Sequence, residues 1–447
     1  MKIPRTPPNW QTLWNEAVRQ GKGDAFIGFG SRPEEPSNQY PHWDDFRHRA
    51  PASEVLSVEE RWAAIRMRRS FQAQRIELTD TQGRPFTFSL TQRTFELLHE
   101  IDLHCGGSMG IVEDGILQEQ SRDRYYINSL FEEALTSSQL EGAVVTRSEA
   151  REIIRQQRKP ANEHERMVVN NFLTMRLVAD LKNEDLTPEL ILRIHREITA
   201  GTMKHPEDEG RFRDLGDSIH VEDQESGEVV HTPRPAGQLD ASMRKLCDFA
   251  NEWGMNGYLH PVLRSIILHF WIAYDHPFVD GNGRTARAMF YWSMLRHGFW
   301  LAEFFSISHE ILKAPKKYYR AFLHTETDDN DLNYFILHQL EVIKASIAAL
   351  KDYILRKREE MDSVRRFLGP GAGFNHRQLA LLKHALKHPY AAYTVTSHKN
   401  SHGVSYQTAM NDLAHLESQG LVRKRKVGKA FVFSPVPDLA TRIGGEA

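Results

Sequence analysis

Twelve consecutive residues, His276-Pro277-Phe278-Val279-Asp280-Gly281-Asn282-Gly283-Arg284-Thr285-Ala286-Arg287, gather an imidazole, a carboxylate, a Gly-Asn-Gly run and two guanidiniums. An imidazole can take a proton near neutral pH, which makes His276 a candidate general base. Gly281, Asn282 and Gly283 stand just ahead of a helix start. Backbone N–H groups left unpaired there converge on one spot, and the helix dipole adds positive potential, so the run reads as an anion cradle. Arg284 and Arg287, three residues apart on the first turn, can reach the same polyphosphate, whose oxygens suit a planar fork. Asp280 is placed to hold a magnesium ion bridging phosphate oxygens. Together these groups suit transfer of a phosphorus-centred group to a hydroxyl.

The elements that must hold this loop are helical. An apolar run over 261–274, with proline first, predicts one helix, and 284–296 predicts the next. Apolar residues at three- and four-residue spacing predict further helices at 91–104, 124–140, 148–157, 162–181, 188–200, 241–252, 314–324 and 331–351. In the leader, 10–20 and 58–74 read as helices. Residues 75–90 alternate around Asp80-Thr81-Gln82-Gly83 as a hairpin does. The aromatics of Tyr40-Pro41-His42-Trp43-Asp44-Asp45-Phe46 are expected to staple the leader to the body.

Two places in the bundle carry more than packing. After Gly210-Arg211-Phe212-Arg213, the extended pieces Ile219-His220-Val221 and Val229-Val230-His231-Thr232 flank a turn at Glu225-Ser226-Gly227. Such a hairpin offers an edge to which an extended target segment can add through main-chain hydrogen bonds. Ser137 and Glu141, four apart, share a helix face, and Gly142 is suited to the left-handed position that ends a helix.

The twelve-residue string resembles the signature of the Fic family, His-Pro-Phe-x-Asp/Glu-Gly-Asn-Gly-Arg-x-x-Arg, with every fixed position matched. The resemblance implies adenylylation: AMP passes from Mg-ATP to a Ser, Thr or Tyr hydroxyl of a target protein, and pyrophosphate leaves. It implies His276 as the base, Asp280 as the magnesium ligand, and Gly281, Asn282, Gly283, Arg284 and Arg287 as the phosphate clamp. Glycine rather than lysine at 283 favours nucleotidyl transfer over the phosphoryl transfer of the related Doc kinases. The 219–232 hairpin matches the family's flap, with Ile219, Val221, Val230 and Thr232 as target-docking positions and Val230 and His231 beside the nucleotide. Tyr318 and Tyr319 match a pair that lines the adenine slot. Ser137, Glu141 and Gly142 match the inhibitory motif Ser/Thr-x-x-x-Glu-Gly/Asn, whose glutamate engages the second signature arginine, here Arg287. A Glu141 so placed also suits the reverse reaction, deAMPylation.

The whole chain sets the frame. With 447 residues and 40% hydrophobic content it can bury a large core in two or three domains. A net charge of −2 points to neither nucleic acid nor membrane as the main partner. Two cysteines, Cys105 and Cys247, exclude a disulfide framework and fit a reducing cytoplasm. No apolar run has the length of a membrane span, and residues 1–8 do not begin a signal peptide, so a soluble intracellular protein is expected.

The expected fold class is mainly α: a Fic-type helical bundle with a β-hairpin flap, followed by a winged helix-turn-helix. The boundaries read from the sequence are a leader at 1–95, a catalytic domain including the inhibitory helix at 96–350, a charged linker at 351–370, and the terminal domain at 371–447. Gly369-Pro370-Gly371-Ala372-Gly373 marks the end of the linker. The terminal segment carries ten lysines and arginines against four acids. Ser405 is read as the N-cap of a recognition helix bearing Tyr406, Gln407 and Asn411, and 421–433 as a basic wing turning at Val427-Gly428-Lys429. DNA binding through this segment and contact with another protein both stay open, as do a homodimer and self-modification. A DNA-binding regulator whose nucleotide pocket only senses ATP is the rival from another class.

Overall fold

The computed structural model describes residues 2–32, 40–49, 53–105, 119–223, 226–253, 257–368, 373–427 and 430–444. Glu225, Gly369, Pro370, Gly371, Ala372, Gly428 and Lys429, which the sequence places in turns or at the end of the linker, lie outside the described residues.

In chain order, helices α1 (Trp10–Arg19), α2 (Gly23–Gly30), α3 (Trp43–Arg49) and α4 (Val58–Gln72) lead into a hairpin, β1 (Gln74–Thr79) and β2 (Pro85–Phe88). Next come α5 (Gln92–Cys105), α6 (Glu119–Leu140), α7 (Arg147–Gln156), α8 (Glu163–Asp180) and α9 (Pro188–Thr199), then a short hairpin, β3 (Val221–Glu222) and β4 (Val229–His231). The run α10 (Leu239–Ala250), α11 (Pro261–Asp275), α12 (Asn282–Arg296), α13 (Ile307–Lys313), α14 (Pro315–Thr327) and α15 (Asn333–Leu368) follows. The chain continues through α16 (His376–Lys387), β5 (Tyr393–Thr394), α17 (Val395–His402), α18 (Tyr406–Ser418), β6 (Val422–Val427), β7 (Ala430–Pro435) and α19 (Leu439–Gly444).

Local chemistry sets many of these starts. Ser57 and Glu60 form a reciprocal capping box at α4, and Thr146 and Glu149 form another at α7. Thr187 caps α9, whose first residue is Pro188. No helix among the described residues is long and apolar enough to cross a membrane.

The chain divides into two compact units. The first holds residues 1–102, 177–299 and 310–344, with α11 and α12 at its centre. Both helices are buried on nearly every face, as the middle of a core requires. Phe270 of α11 meets Phe86, Phe322 and Phe335 with ring centres 5.3, 5.1 and 5.2 Å away. The leader is part of this core. Tyr40 donates to Asp331 at 2.7 Å, His42 stacks on His324 at 4.1 Å, and Trp43 and Phe46 pack on Trp62.

The second unit holds residues 103–176, 300–309 and 345–447. Glu133 of α6 accepts from Ser306 Oγ at 2.8 Å and from the Ser308 N–H at 3.1 Å, binding residues 300–309 to that helix. In the C-terminal segment, β7 lies between β5 and β6, both antiparallel to it. The sheet and helices share a core of Leu381, Leu382, Tyr393, Leu413, Leu416, Val422 and Phe433. Asp412 accepts from Arg377, Asn375 and His398 and ties α16, α17 and α18 together.

Two outcomes differ from the sequence reading. The helix expected to end at Lys351 runs on to Leu368, through the segment read as a linker. That segment is rich in Arg, Lys and Glu, which favour helix; dense charge alone does not break one. In addition, α6, which carries Ser137 and the residues before Glu141, falls in the unit of the C-terminal segment, whereas the 276–287 loop falls in the other. The Asn400 amide of α17 donates to the Arg155 carbonyl at the end of α7. Contacts of this kind join elements distant in sequence and leave no local pattern.

Candidate active site

The loop begins where α11 stops. His276 adopts φ 48° and ψ 58°, and its N–H donates to the Ile272 carbonyl at 3.0 Å, closing the helix in the left-handed region. Its ring Nδ1 lies 3.3 Å from the Ala273 carbonyl. A proton on Nδ1 is donated there, and this tautomer carries its lone pair on Nε2.

The backbone beneath the imidazole is clamped. Arg213 donates through Nε to the His276 carbonyl at 2.7 Å and through Nη2 to the Asp275 carbonyl at 3.1 Å, while its own N–H donates to Pro277 at 2.9 Å. The Asp275 side chain, fully buried, accepts from Arg234 Nε at 2.8 Å, from Trp271 Nε1 at 3.1 Å and from Ser242 Oγ. Burial pushes this carboxyl above its ordinary range, and Arg234, Ser242 and Trp271 pull the other way.

Further along, Asn282 brackets the turn: its Oδ1 accepts from the Phe278 N–H at 2.9 Å, and its Nδ2 donates to the Phe278 carbonyl at 2.8 Å. That side chain therefore builds the loop, and what it can offer an anion is its backbone N–H. His195 of α9 lies flat on Phe278, ring centres 3.7 Å apart. Its Nδ1 accepts from the Gly210 N–H at 3.0 Å, so Nε2–H donates to the Asp280 carbonyl at 2.9 Å. Burial first, and then Arg284, hold His195 down at about 4, which keeps it neutral in this role. Gly281 has φ +81°, and a Cβ there would stand 2.8 Å from Thr199 Cγ2 and 3.2 Å from His195 Nε2. Only glycine fits.

Helix α12 starts at Asn282, so the N–H groups of its first turn face the space beside Asp280. Asp280 is the exposed member of the loop: its side chain is 59% accessible, Oδ1 accepts from the Gly281 N–H at 2.6 Å, and Oδ2 lies 3.6 Å from Arg284 Nη2. Arg284 and Arg287 are both buried, and Arg284 Nη1 donates to the Ile198 carbonyl at 3.3 Å. Among the described residues, no three His, Cys, Asp or Glu side chains gather as a metal cage. A single carboxylate suits magnesium, which takes most of its donors from phosphate oxygens and water.

The 219–232 hairpin is shorter than its sequence pattern. Val221 pairs with His231 and Glu222 with Val229; Ile219 and Thr232 lie just outside the paired residues. Both ring nitrogens of His231 are engaged, Nδ1 with Glu326 at 2.8 Å and Nε2 with the Tyr274 carbonyl at 2.7 Å. The ring anchors β4 to α11 and α14, and both its nitrogens serve that contact. Burial opposes a charge on His231, but Glu326, the Tyr274 carbonyl and Asp275 outweigh it, and its pKa is raised. A raised pKa means that the anchor is at full strength below the unfolded-state value and is lost as pH rises through the folded one. Amide exchange at Val230 and His231, corrected for its intrinsic pH dependence, is expected to accelerate through that window. In Glu326→Gln the acceleration should begin at lower pH; identical profiles would remove Glu326 from the anchor.

Of the tyrosine pair, Tyr318 is buried and its hydroxyl lies 2.9 Å from His269 Nε2, a core position, whereas Tyr319 is 41% exposed. His269 is completely buried. In the other unit, Ser137 is buried near the end of α6. Gly142 takes φ +89°, and the Glu141, Gly142 and Ala143 N–H groups close the helix on Ser138 and Gln139, as the motif's glycine predicts.

Sequence reasoning missed His195, Arg234 and Asp275 as supports of the loop. A carboxylate ending an otherwise apolar helix next to His276 was a visible signal for Asp275. His195 and Arg234 come from distant elements and carried none.

Residues 185–294 match the Fic/DOC family. The chain carries a Fic domain. Among curated proteins it is similar to the protein adenylyltransferase Fic of Nematostella vectensis, 32% identical over 121 residues, which is 26% of this chain and 25% of that one. It is similar also to the protein adenylyltransferase Fic of Drosophila mojavensis, 25% identical over 265 residues, 55% of this chain and 48% of that one. A crystal structure of a Fic family protein from Desulfovibrio desulfuricans aligns with 81% of this chain and 98% of its own at 17% identity, with a TM-score of 0.47. The chain spans a quarter to a half of the length of these curated relatives.

Proposed function

We propose that this chain is a protein adenylyltransferase that moves AMP from Mg-ATP to a hydroxyl of a target protein or of itself. The observation that carries the reading is the 276–287 loop: a histidine held at a helix end and an anion-binding helix N-terminus, with one exposed carboxylate between them. The names of the curated relatives support it. In the proposed step the target hydroxyl oxygen attacks the α-phosphorus as His276 takes its proton. The bond from that phosphorus to the bridging oxygen breaks, and pyrophosphate leaves. The first N–H groups of α12, with Arg284 and Arg287, hold the phosphates. Asp280 would hold the magnesium, whose charge offsets that of the phosphates. The β3–β4 flap would dock the target strand through its main chain, with Val221 and Val230 facing it.

Glu141 is proposed as a brake that keeps ATP from a reactive pose, the role its motif implies. We propose that the C-terminal segment is a winged helix, a reading supported by three helices followed by an antiparallel strand pair. Its strand β6 exposes Arg423, Lys424, Arg425 and Lys426, which would suit phosphate contact.

Incubating wild type, Glu141→Gly and Glu141→Gly/His276→Ala with ATP labelled on the α-phosphate, and following intact mass, tests this reading. AMP is expected on the Glu141→Gly protein, or on an acceptor in a cell lysate, at least tenfold above wild type. Equal labelling of wild type and Glu141→Gly would eliminate the brake. Faster loss of AMP from premodified target with Glu141 than without it would favour deAMPylation.

A further inference from the structure

The second unit contains two adjoining cavities of about 580 and 510 Å³, which share Arg147, Arg151, Arg155 and His384. The three arginines recur every fourth residue along α7 and so line one face of that helix. Arg147 is paired with Glu132, and Arg151 lies over the Phe131 ring at 5.3 Å. Among the described residues, no carboxylate pairs with Arg151 or Arg155. The facing wall brings Lys357 and Tyr353 of α15, His384 of α16 and His398 and His402 of α17. Against these cations the lining residues include one acid, Glu152.

Arg151 and Arg155 leave an excess of positive charge in the cleft, and His384 beside them registers it. His384 is held below its ordinary value by burial and then by His388, Arg155 and Arg151. Each cavity falls in the range that encloses a ligand of nucleotide size. The aromatic Tyr353 and the polar Asn128, Asn400 and Ser401 line the same space as the arginines, so a planar, hydrogen-bonding ring and a phosphate chain both find matching walls.

We infer that this cleft between α7 and the C-terminal segment is a second ligand site, which binds a nucleotide with its phosphates along Arg147, Arg151 and Arg155 and its base beside Tyr353. The site is independent of the chemistry proposed for the 276–287 loop. It is made by the arrangement that sets α7 together with α16 and α17.

Calorimetric titration of the full chain with GTP, inorganic tripolyphosphate and guanosine tests the assignment. GTP is expected to bind the wild type at least tenfold more tightly than Arg151→Gln/Arg155→Gln, and more tightly than tripolyphosphate binds, with guanosine weakest. Superimposable GTP isotherms for wild type and the double variant would overturn the site. Tripolyphosphate binding as tightly as GTP would overturn the base contact. A DNA duplex that binds more tightly than GTP and is lost in the same variant would assign the arginines to nucleic acid instead. Melting curves check the fold of the double variant; if it is impaired, Lys357→Gln supplies the comparison, with a weakening of several-fold expected.

Discussion

His276→Ala, made in the Glu141→Gly background, is expected to lower AMP transfer by about 10²–10⁴-fold, the range in which a general base contributes. The fold should survive the change. His276 is half-buried at a loop, and the clamp beneath it uses its carbonyl, held by Arg213 at 2.7 Å, rather than its ring. Alanine bears the positive φ only slightly less well than histidine, so the melting temperature should fall by little. The pH profile separates a base from a merely structural residue. Any limb of that profile carried by His276 should vanish in its absence. Comparable rates in the two proteins would move the base elsewhere.

Asp275→Asn is expected to cost about 3 kcal/mol of stability, read as a fall in the urea midpoint, because it leaves the buried Arg234 guanidinium without its counter-charge. Asparagine has the shape of aspartate but turns an amide N–H₂ toward one set of donors. Ser242 can rotate its hydroxyl to accept, whereas Trp271 Nε1 can only donate. The damage should reach the chemistry as well, since Asp275 is the residue before His276 and Arg213 holds both carbonyls. Arg234→Met alone should cost a similar amount. The double variant Asp275→Asn/Arg234→Met should recover part of the loss, since the uncompensated charge is gone; strictly additive losses would mean that the pair is not coupled.

How far these features could be read in advance depended on their range. The 276–287 loop was legible because its parts lie within one stretch, and the conformations of Gly281 and Gly142 followed from being glycines beside helix ends. The helices were legible from apolar spacing, although α15 runs past Lys351 through the charged segment that was read as a linker. What could not be read was long-range. His195 reaches the loop across 85 residues and Arg213 across 63, and nothing in their local surroundings marks either one. His231 was read beside the nucleotide, and its role in anchoring β4 through both ring nitrogens had no local signal. Side chains in a polar network are claimed by neighbours that only the fold supplies.

The left-handed backbone of His276 bears on how this loop can drift over generations. A glycine in its place would relax the chain by roughly 1 kcal/mol, and an asparagine would recover some of that, so selection for a sturdier fold alone would draw position 276 away from histidine. The proposed role as base would account for a bulky imidazole in a conformation that suits glycine better.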